Sequence, residues 1–276
     1  MNRVQRNGMA CAGLAVWCGL AGGLSAAPDG AELADRVEAA YVRHISDINR
    51  LTLVSRMEGG MVDGMEVVSR FRKAERDGRP VLEPVQDEDS DMVQWVGLHD
   101  GLLADMLRNA RSVTEAAHEG APVYVVLIDD QAYLKSLQDL QMGPHEGEVE
   151  MQPEQVTIQI GREDLTVRQM AVRAAGPGEA RVDMVMELSD YRVHNGLPVA
   201  HVMSITLSGM EQMIPAADLA QARQQIQQMQ QQLAQMPEEQ RAMVEALLAP
   251  QIREFESMME SGKTAMRIRV VDVKLE

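Results

Sequence analysis

The sequence predicts an α+β protein in which helices cover one apolar face of an antiparallel sheet, with a helical hairpin inserted before the last strand. Short segments with two-residue alternation of apolar and polar side chains recur along the chain, separated by turn residues such as Asn195-Gly196. Segments with helical spacing of apolar residues precede and interrupt them. A Gln- and Met-rich segment, 215–262, has apolar residues at three- and four-residue spacing just ahead of the final strand.

The first residues have the three parts of a secretory signal peptide. Arg3 and Arg6 are the only charges before Asp29, residues 9–24 are apolar or small, and Ser25-Ala26-Ala27 gives a small-residue end. The apolar run is shorter than the roughly 20 residues that a spanning helix needs. We therefore predict that residues 1–27 are removed on export. The mature chain is expected to be periplasmic, not membrane-spanning, and without cysteine.

The first half of the mature chain mixes helices and strands. Amphipathic spacing predicts a helix over residues 29–47, and shorter helical patterns occur at 98–110 and 132–140. Alternation, or a continuous apolar run, predicts strands at 51–57, 65–74, 80–85 and 123–128. Asp77-Gly78 lies between the second and third of these strands and predicts a hairpin turn.

The second half is a series of strands interrupted once. Strands are predicted at 156–160, from 165 onward, at 182–188 and at 197–207, with turns at Gly176-Pro177-Gly178 and Asn195-Gly196. Four or more such strands with one apolar face imply an antiparallel sheet that packs on one side. The last strand, 266–275, changes phase at Val270-Val271, which indicates a β-bulge.

These elements divide the chain into four parts. They are a signal peptide, a sheet domain with its N-terminal and central helices, a helical hairpin, and the final strand of the sheet domain, at residues 1–27, 28–209, 210–263 and 264–276.

Charge and motifs exclude several function classes. The chain has 42 acidic and 26 basic residues, a net charge of −16, which argues against nucleic acid or an anionic membrane surface as a partner. The sequence has no nucleophile elbow, phosphate loop or dinucleotide fingerprint. We therefore predict a protein that is not an enzyme and has no cofactor or metal.

Two polar clusters are candidates for a metal site. Asp190, His194 and His201 lie near one hairpin, but exposed or rim positions are the favoured interpretation. The acidic run 87–91 lacks the glycine and the terminal glutamate of an EF-hand loop, so a solvated loop is favoured there.

Methionine is abundant, with 21 in the chain against two Phe. Methionine fills irregular space and adapts to variable partners, so a Met-rich sheet face is typical either of ordinary core packing or of a deformable cavity for an apolar ligand. The residues predicted to line such a cavity alternate along two adjacent strands: Met184, Met186, Leu188, Met203, Ile205 and Leu207. The alternative function is binding of an envelope protein partner through the hairpin 215–262.

The hairpin sequence Asp190-Tyr191-Arg192-Val193-His194-Asn195-Gly196-Leu197-Pro198 resembles the D-Y-R-x-x-D-G motif of LolA-like outer-membrane lipoprotein-sorting proteins. The order of elements is similar over residues 29–209 and the final strand, whereas the segment 215–262 departs from that pattern. The resemblance implies a curved antiparallel half-barrel with helices as a lid over a concave apolar face. It also implies that the ligand is a lipid or the acyl chains of a lipoprotein, and it carries over no catalytic residue.

Overall fold

The computed structural model describes residues 27–59, 63–76, 78–85, 102–142, 151–176, 178, 180–209 and 261–276, together with residue 212 and single positions between 220 and 237. The described helices are α1 (Gly30–His44), α2 (Leu102–Arg108) and α3 (Gln131–Met142). The described strands are β1 (Arg50–Glu58), β2 (Glu66–Arg76), β3 (Arg79–Pro84), β4 (Ser112–His118), β5 (Ala121–Ile128), β6 (Gln152–Gly161), β7 (Val167–Ala175), β8 (Arg181–His194), β9 (Leu197–Ser208) and β10 (Lys263–Leu275).

The strands form one open antiparallel sheet in the order β3-β2-β1-β10-β9-β8-β7-β6-β5-β4. Strands that are neighbours in the sheet are consecutive along the chain, except β1 and β10, because β10 pairs with β1 as well as with β9. The last strand therefore joins an early three-stranded meander to a later six-stranded one. The predicted fold class, a curved antiparallel sheet covered by helices, is confirmed.

The helix α1 forms because its apolar residues share one face and its start is capped. Leu33, Ala34 and Val37 are buried at helical spacing. The side chain of Asp29 accepts a hydrogen bond from the backbone N–H of Glu32 at 2.8 Å, which satisfies one of the free donors of the first turn.

One large core cluster lies between the three helices and strands β5 to β9. It includes Leu107 of α2, Leu134 of α3, Ile158 of β6 and Met186 of β8, each at most 1% exposed. The hydroxyl of Tyr133 on α3 also donates to a carboxylate of α2, so the two short helices are tied by a polar contact at the edge of this core.

A second core cluster lies at the other end of the sheet. Ile45 and Ile48, in the turn after α1, pack with Leu53 of β1, Phe71 of β2 and other residues of β3, β9 and β10. The C-terminal end of α1 thus covers the strands β3-β2-β1-β10, while its N-terminal half covers strands β5 to β9.

The contacts of α1 show how strongly the sheet curls. Arg36 donates to the hydroxyl of Tyr124 on β5 at 3.3 Å, and the hydroxyl of Tyr41 accepts from the N–H of Leu82 on β3 at 2.9 Å. Strands β3 and β5 are eight spacings apart in the sheet, about 38 Å if it were flat. Residues 36 and 41 are separated by only about 8 Å of helix. One short helix can reach both strands only because the sheet wraps around it.

Local chemistry sets the hairpin between β8 and β9. Asn195 and Gly196 both have positive φ, 46° and 86°, as a two-residue type I′ turn requires. Asp190 in β8 also has a positive φ, 51°.

The predicted bulge in β10 is confirmed, because Val54 pairs with Asp272 and Ser55 with Val270, which leaves Val271 as the extra residue.

The elements agree with the sequence predictions except at β4, which was not predicted. Predicted helix 98–110 is observed as the shorter α2, and residues 98–101 lie outside the described part. The acidic run 87–91 and most of the predicted hairpin 215–262 also lie outside it. The positions described between 220 and 235 are helical. None of the helices that the structure describes is both long and apolar enough to cross a membrane.

Candidate functional site

The six residues predicted to line a cavity form three directly opposed pairs on β8 and β9. The pairs are Met184 with Leu207, Met186 with Ile205, and Leu188 with Met203. All six therefore share one face of the sheet, because each strand places alternate residues on the same side.

These pairs differ in what covers them. Met186 and Met203 are buried in the large core cluster beneath the helices, and Leu188 and Ile205 pack against it. Met184 and Leu207 are half-buried nearer the end that leads to the inserted segment.

A cavity of about 60 Å³ lies between the two core clusters. Leu188 and Met203 belong to its wall, whereas the other four predicted residues do not. The remaining wall residues come from α1, from β10 and from strands on either side of β10 in the sheet: Tyr41, Leu51, Leu53, Ser55, Phe71, Leu82, Val167, Tyr191, Leu197, Pro198, Val199, Ala200, Ile268 and Val270.

Strands β1, β2 and β3 contribute to this cavity, which the sequence does not predict. Their alternation is evident in the sequence, but their approach to β7 is not. Leu82 of β3 and Val167 of β7 are six strand spacings apart, yet they line the same space. The cavity is therefore a consequence of the curl of the sheet.

The wall of the cavity is apolar apart from three hydroxyl groups. The hydroxyl of Tyr41 accepts from the N–H of Leu82, and the hydroxyl of Tyr191 donates to the carbonyl of Val167. Burial raises the pKa of Tyr191 above its ordinary value, so this phenol stays protonated and keeps donating. The third hydroxyl belongs to Ser55.

The position of Tyr191 depends on the backbone at Asp190. The left-handed conformation of Asp190 interrupts the alternation of β8, so Leu188 and Tyr191, three residues apart, both line the cavity. The guanidinium of Arg168 lies 5.0 Å from the centre of the Tyr191 ring and covers its outer side.

Polar side chains hold α1 at the rim of the cavity. Glu38 of α1 accepts hydrogen bonds from Arg108 of α2, at 2.7 Å, and from Arg79 of β3. Burial alone would raise the pKa of Glu38, but the bonds from these two guanidinium groups outweigh it and lower the pKa. The carboxylate thus ties α1 to the edge of the sheet and to α2 at neutral pH.

The sheet forks beside the cavity. The pairing of β9 with β10 runs from Ser208 and Lys263 to Val202 and Arg269. Beyond that point β9 continues along β8 and β10 continues along β1. His201, 6% exposed, stands at the fork, and its Nδ1 lies 3.1 Å from the carbonyl oxygen of Val270.

His194 and His201 form a tip-to-tip imidazole pair. Their Nε2 atoms are 3.0 Å apart, the ring centres are 5.2 Å apart and the ring planes differ by 17°. The ring centres are farther apart than the nitrogens by about one ring diameter, so the rings meet edge to edge. Since a carbonyl only accepts, Nδ1 of His201 donates to Val270, and its Nε2 accepts from His194 in the neutral pair.

Burial is the main cause that lowers the pKa of His201, and the charges of Arg192 and His194 act in the same direction. The bond to Val270 and the charge of Asp190 oppose them in part. Asp190 itself is paired with Arg192 at 2.7 Å. Within the described residues no group of three or more His, Asp, Glu or Cys side chains is arranged to hold a metal.

Comparisons with known proteins give two similar solved structures. An outer membrane lipoprotein-sorting protein domain from Vibrio parahaemolyticus aligns with 9% identity over 90% of this chain and 92% of its own, at a TM-score of 0.39. A LolA superfamily protein from Nitrosomonas europaea aligns with 8% identity over 88% of this chain and 93% of its own, at a TM-score of 0.33. Both structures come from the group that the Asp190–Pro198 hairpin resembles.

No protein-family model matches the chain, and no curated protein matches it in sequence. What this chain binds is therefore inferred from its own side chains.

Proposed function

We propose that this chain is a periplasmic, non-enzymatic binding protein or carrier for an apolar ligand, such as a lipid or the acyl chains of a lipoprotein. The observation that carries the proposal is the apolar cavity between the two core clusters, to whose wall α1 contributes Tyr41. Apolar cavities with a few placed polar groups are the usual form of small-molecule sites.

The size of the cavity indicates a closed state. Its volume of about 60 Å³ is far below the roughly 300–1,000 Å³ of occupied ligand sites. An acyl chain can enter only if Ile45 and Ile48, which fill the neighbouring cluster, move outward with the C-terminal end of α1. In that state the acyl chain takes the place of these two side chains.

The energies involved allow a ligand to open this lid. The ties at the rim are partly exposed ion pairs of Glu38 and one hydrogen bond of Tyr41, each of which contributes about 1 kcal/mol or less. Each methylene removed from water contributes about 0.8 kcal/mol. A long acyl chain therefore supplies on the order of 10 kcal/mol before the costs of binding. This exceeds the sum of the rim contacts and of exposing Ile45 and Ile48, which costs about 3–6 kcal/mol for the two side chains.

The proposed ligand contacts follow from position. Leu188 and Met203 line the cavity and are expected to touch the ligand first. Met186 with Ile205 and Met184 with Leu207 continue the same face, and they are expected to line the cavity as it extends. Three of these six side chains are methionines, which can change rotamer to suit different acyl lengths.

Native mass spectrometry of the exported full chain, followed by lipid extraction, tests the proposal. We expect a co-purifying acyl species, or uptake of added lipid, and loss of both in Met203→Asn. Val193→Asn is the matched control, because Val193 is 72% exposed on the adjoining hairpin. Circular dichroism establishes that both variants are folded. A clean apo mass with no uptake of added lipid, from wild-type protein that is folded, would contradict the proposed function.

A further inference from the structure

Ser55 is a buried polar group in the wall of the cavity. It lies on β1, is 2% exposed and lines the cavity together with Val270. Its Oγ has no hydrogen-bond partner among the residues that the structure describes. A buried hydroxyl without a partner is unfavourable, and native structures pair nearly all such groups.

The other two hydroxyls of the wall are engaged by the backbone. Tyr41 accepts from Leu82, and Tyr191 donates to Val167. Ser55 is thus a wall hydroxyl with neither a donor nor an acceptor partner among the residues that the structure describes. The two-residue alternation of β1 places Ser55 on the same face as Leu51 and Leu53, and the bulge at Val271 sets Val270 opposite it.

The charge of the wall restricts what Ser55 can bind. The described residues that line the cavity include no Lys, Arg or His. An ionised carboxylate would lose its hydration there without gaining a cation, which is strongly unfavourable. A neutral carbonyl oxygen needs only one donor and loses far less hydration on entering an apolar space.

We propose that the Ser55 hydroxyl donates a hydrogen bond to the carbonyl oxygen of an acyl ester, with the acyl tail directed toward Leu188 and Met203. This assignment rests on the proposed function and names its ligand class. The cavity would then select esterified acyl chains over free fatty acids and over chains without a carbonyl.

Three lipids that differ in their head group, and alanine variants of two buried serines, test the assignment. Monolauroylglycerol and 1-O-dodecylglycerol differ at the carbonyl, and laurate supplies the ionised carboxylate. We expect the wild-type full chain at pH 7.5 to bind the ester more tightly than either of the other two. In Ser55→Ala the affinity for the ester should fall by about 3- to 10-fold, the effect of one neutral hydrogen bond, while the affinity for the ether is unchanged.

Ser69→Ala is the control. Ser69 lies on β2, is buried and also lacks a partner for its hydroxyl, but it does not line the cavity. Its removal should leave the preference for the ester intact. Equal binding of ester and ether by wild type, unchanged in Ser55→Ala, would overturn the role of Ser55 while leaving the apolar site standing. Failure of all three lipids to bind would overturn the proposed function and the assignment that rests on it.

Discussion

Gly209 donates its backbone N–H to the carbonyl of Gly262 at 3.0 Å, although 52 residues, 210–261, lie between them in the chain. Ser208 and Lys263, just inside this pair, are opposite each other in β9 and β10. Both glycines have positive φ, 86° and 65°, as the two central residues of a type I′ hairpin have. The inserted segment therefore leaves and re-enters the sheet at one point.

Direct fusion of Gly209 to Gly262 is expected to give a folded protein. The fusion creates a Gly-Gly hairpin whose backbone twist matches the flanking strands. We expect an unchanged strand signal in circular dichroism and unchanged lipid binding. Loss of binding to a protein from the cell envelope, with lipid binding retained, would support the alternative role of 215–262. Loss of folding would mean that the segment belongs to the core.

Glu38→Gln is expected to weaken the lid in a pH-dependent way. The pKa of Glu38 is lowered in the folded protein, so its stabilising effect is present above the ordinary value of about 4.5 and is lost as pH falls through the folded value. Urea unfolding should show a variant less stable by up to about 1 kcal/mol at pH 7. The difference between the two proteins should shrink as pH falls below about 4.5.

Two results check this interpretation of Glu38. Glu75→Gln, a change at an exposed position on β2, should match wild type at each pH. A difference between Glu38→Gln and wild type that stays constant from pH 7 to pH 3 would contradict the role of the carboxylate charge.

The imidazole pair at the fork is expected to make stability fall in mild acid. The pKa of His201 is lowered from 6.5, so below that pH the unfolded chain binds a proton more readily than the folded one. The stability that His201 contributes is complete above pH 6.5 and is lost as pH falls toward its folded value. Protonation of His201 would also remove the Nε2 acceptor that it offers to His194.

A comparison of variants isolates this effect. In His201→Gln the slope of unfolding free energy between pH 7 and pH 5 should be shallower than in wild type. His118→Gln, on β4 at the far edge of the sheet, should keep the wild-type slope. Equal slopes in all three proteins would show that His201 does not titrate in this range.

The parts of the fold set by local chemistry could be predicted from the sequence. Asn195-Gly196 specifies a two-residue hairpin, and this turn fixes the register that sets Met186 opposite Ile205. The change of phase at Val270-Val271 located the bulge that brings Ser55 and Val270 together. The common face of the six predicted residues follows from the two-residue period alone.

Features that depend on distant contacts could not be predicted in this way. Strand β4 was missed because it is an edge strand whose seven residues are exposed or half-buried, so it has no apolar alternation. The cavity wall from β1 to β3 depends on the curl of the sheet. The inward position of Tyr191 depends on the positive φ of Asp190, which reverses the alternation without a glycine to signal it.

Tyr191→Phe is expected to destabilise the protein while leaving its packing in place. The variant keeps the ring beneath Arg168, at 5.0 Å, but removes the donor that satisfies the carbonyl of Val167. Loss of one buried hydrogen bond costs about 1–3 kcal/mol when its partner is left unpaired. For a chain of this length that corresponds to a fall in Tm of about 2–4 °C per kcal/mol in thermal unfolding.

Tyr133→Phe separates this effect from a general loss of hydroxyl contacts. Tyr133 donates to Asp105 between α3 and α2, away from the cavity wall. Both variants should unfold at lower temperature, but only Tyr191→Phe should change lipid affinity, because the released carbonyl of Val167 lies in the cavity wall. A Tm equal to that of wild type in Tyr191→Phe would mean that the carbonyl of Val167 finds another donor when the tyrosine hydroxyl is absent.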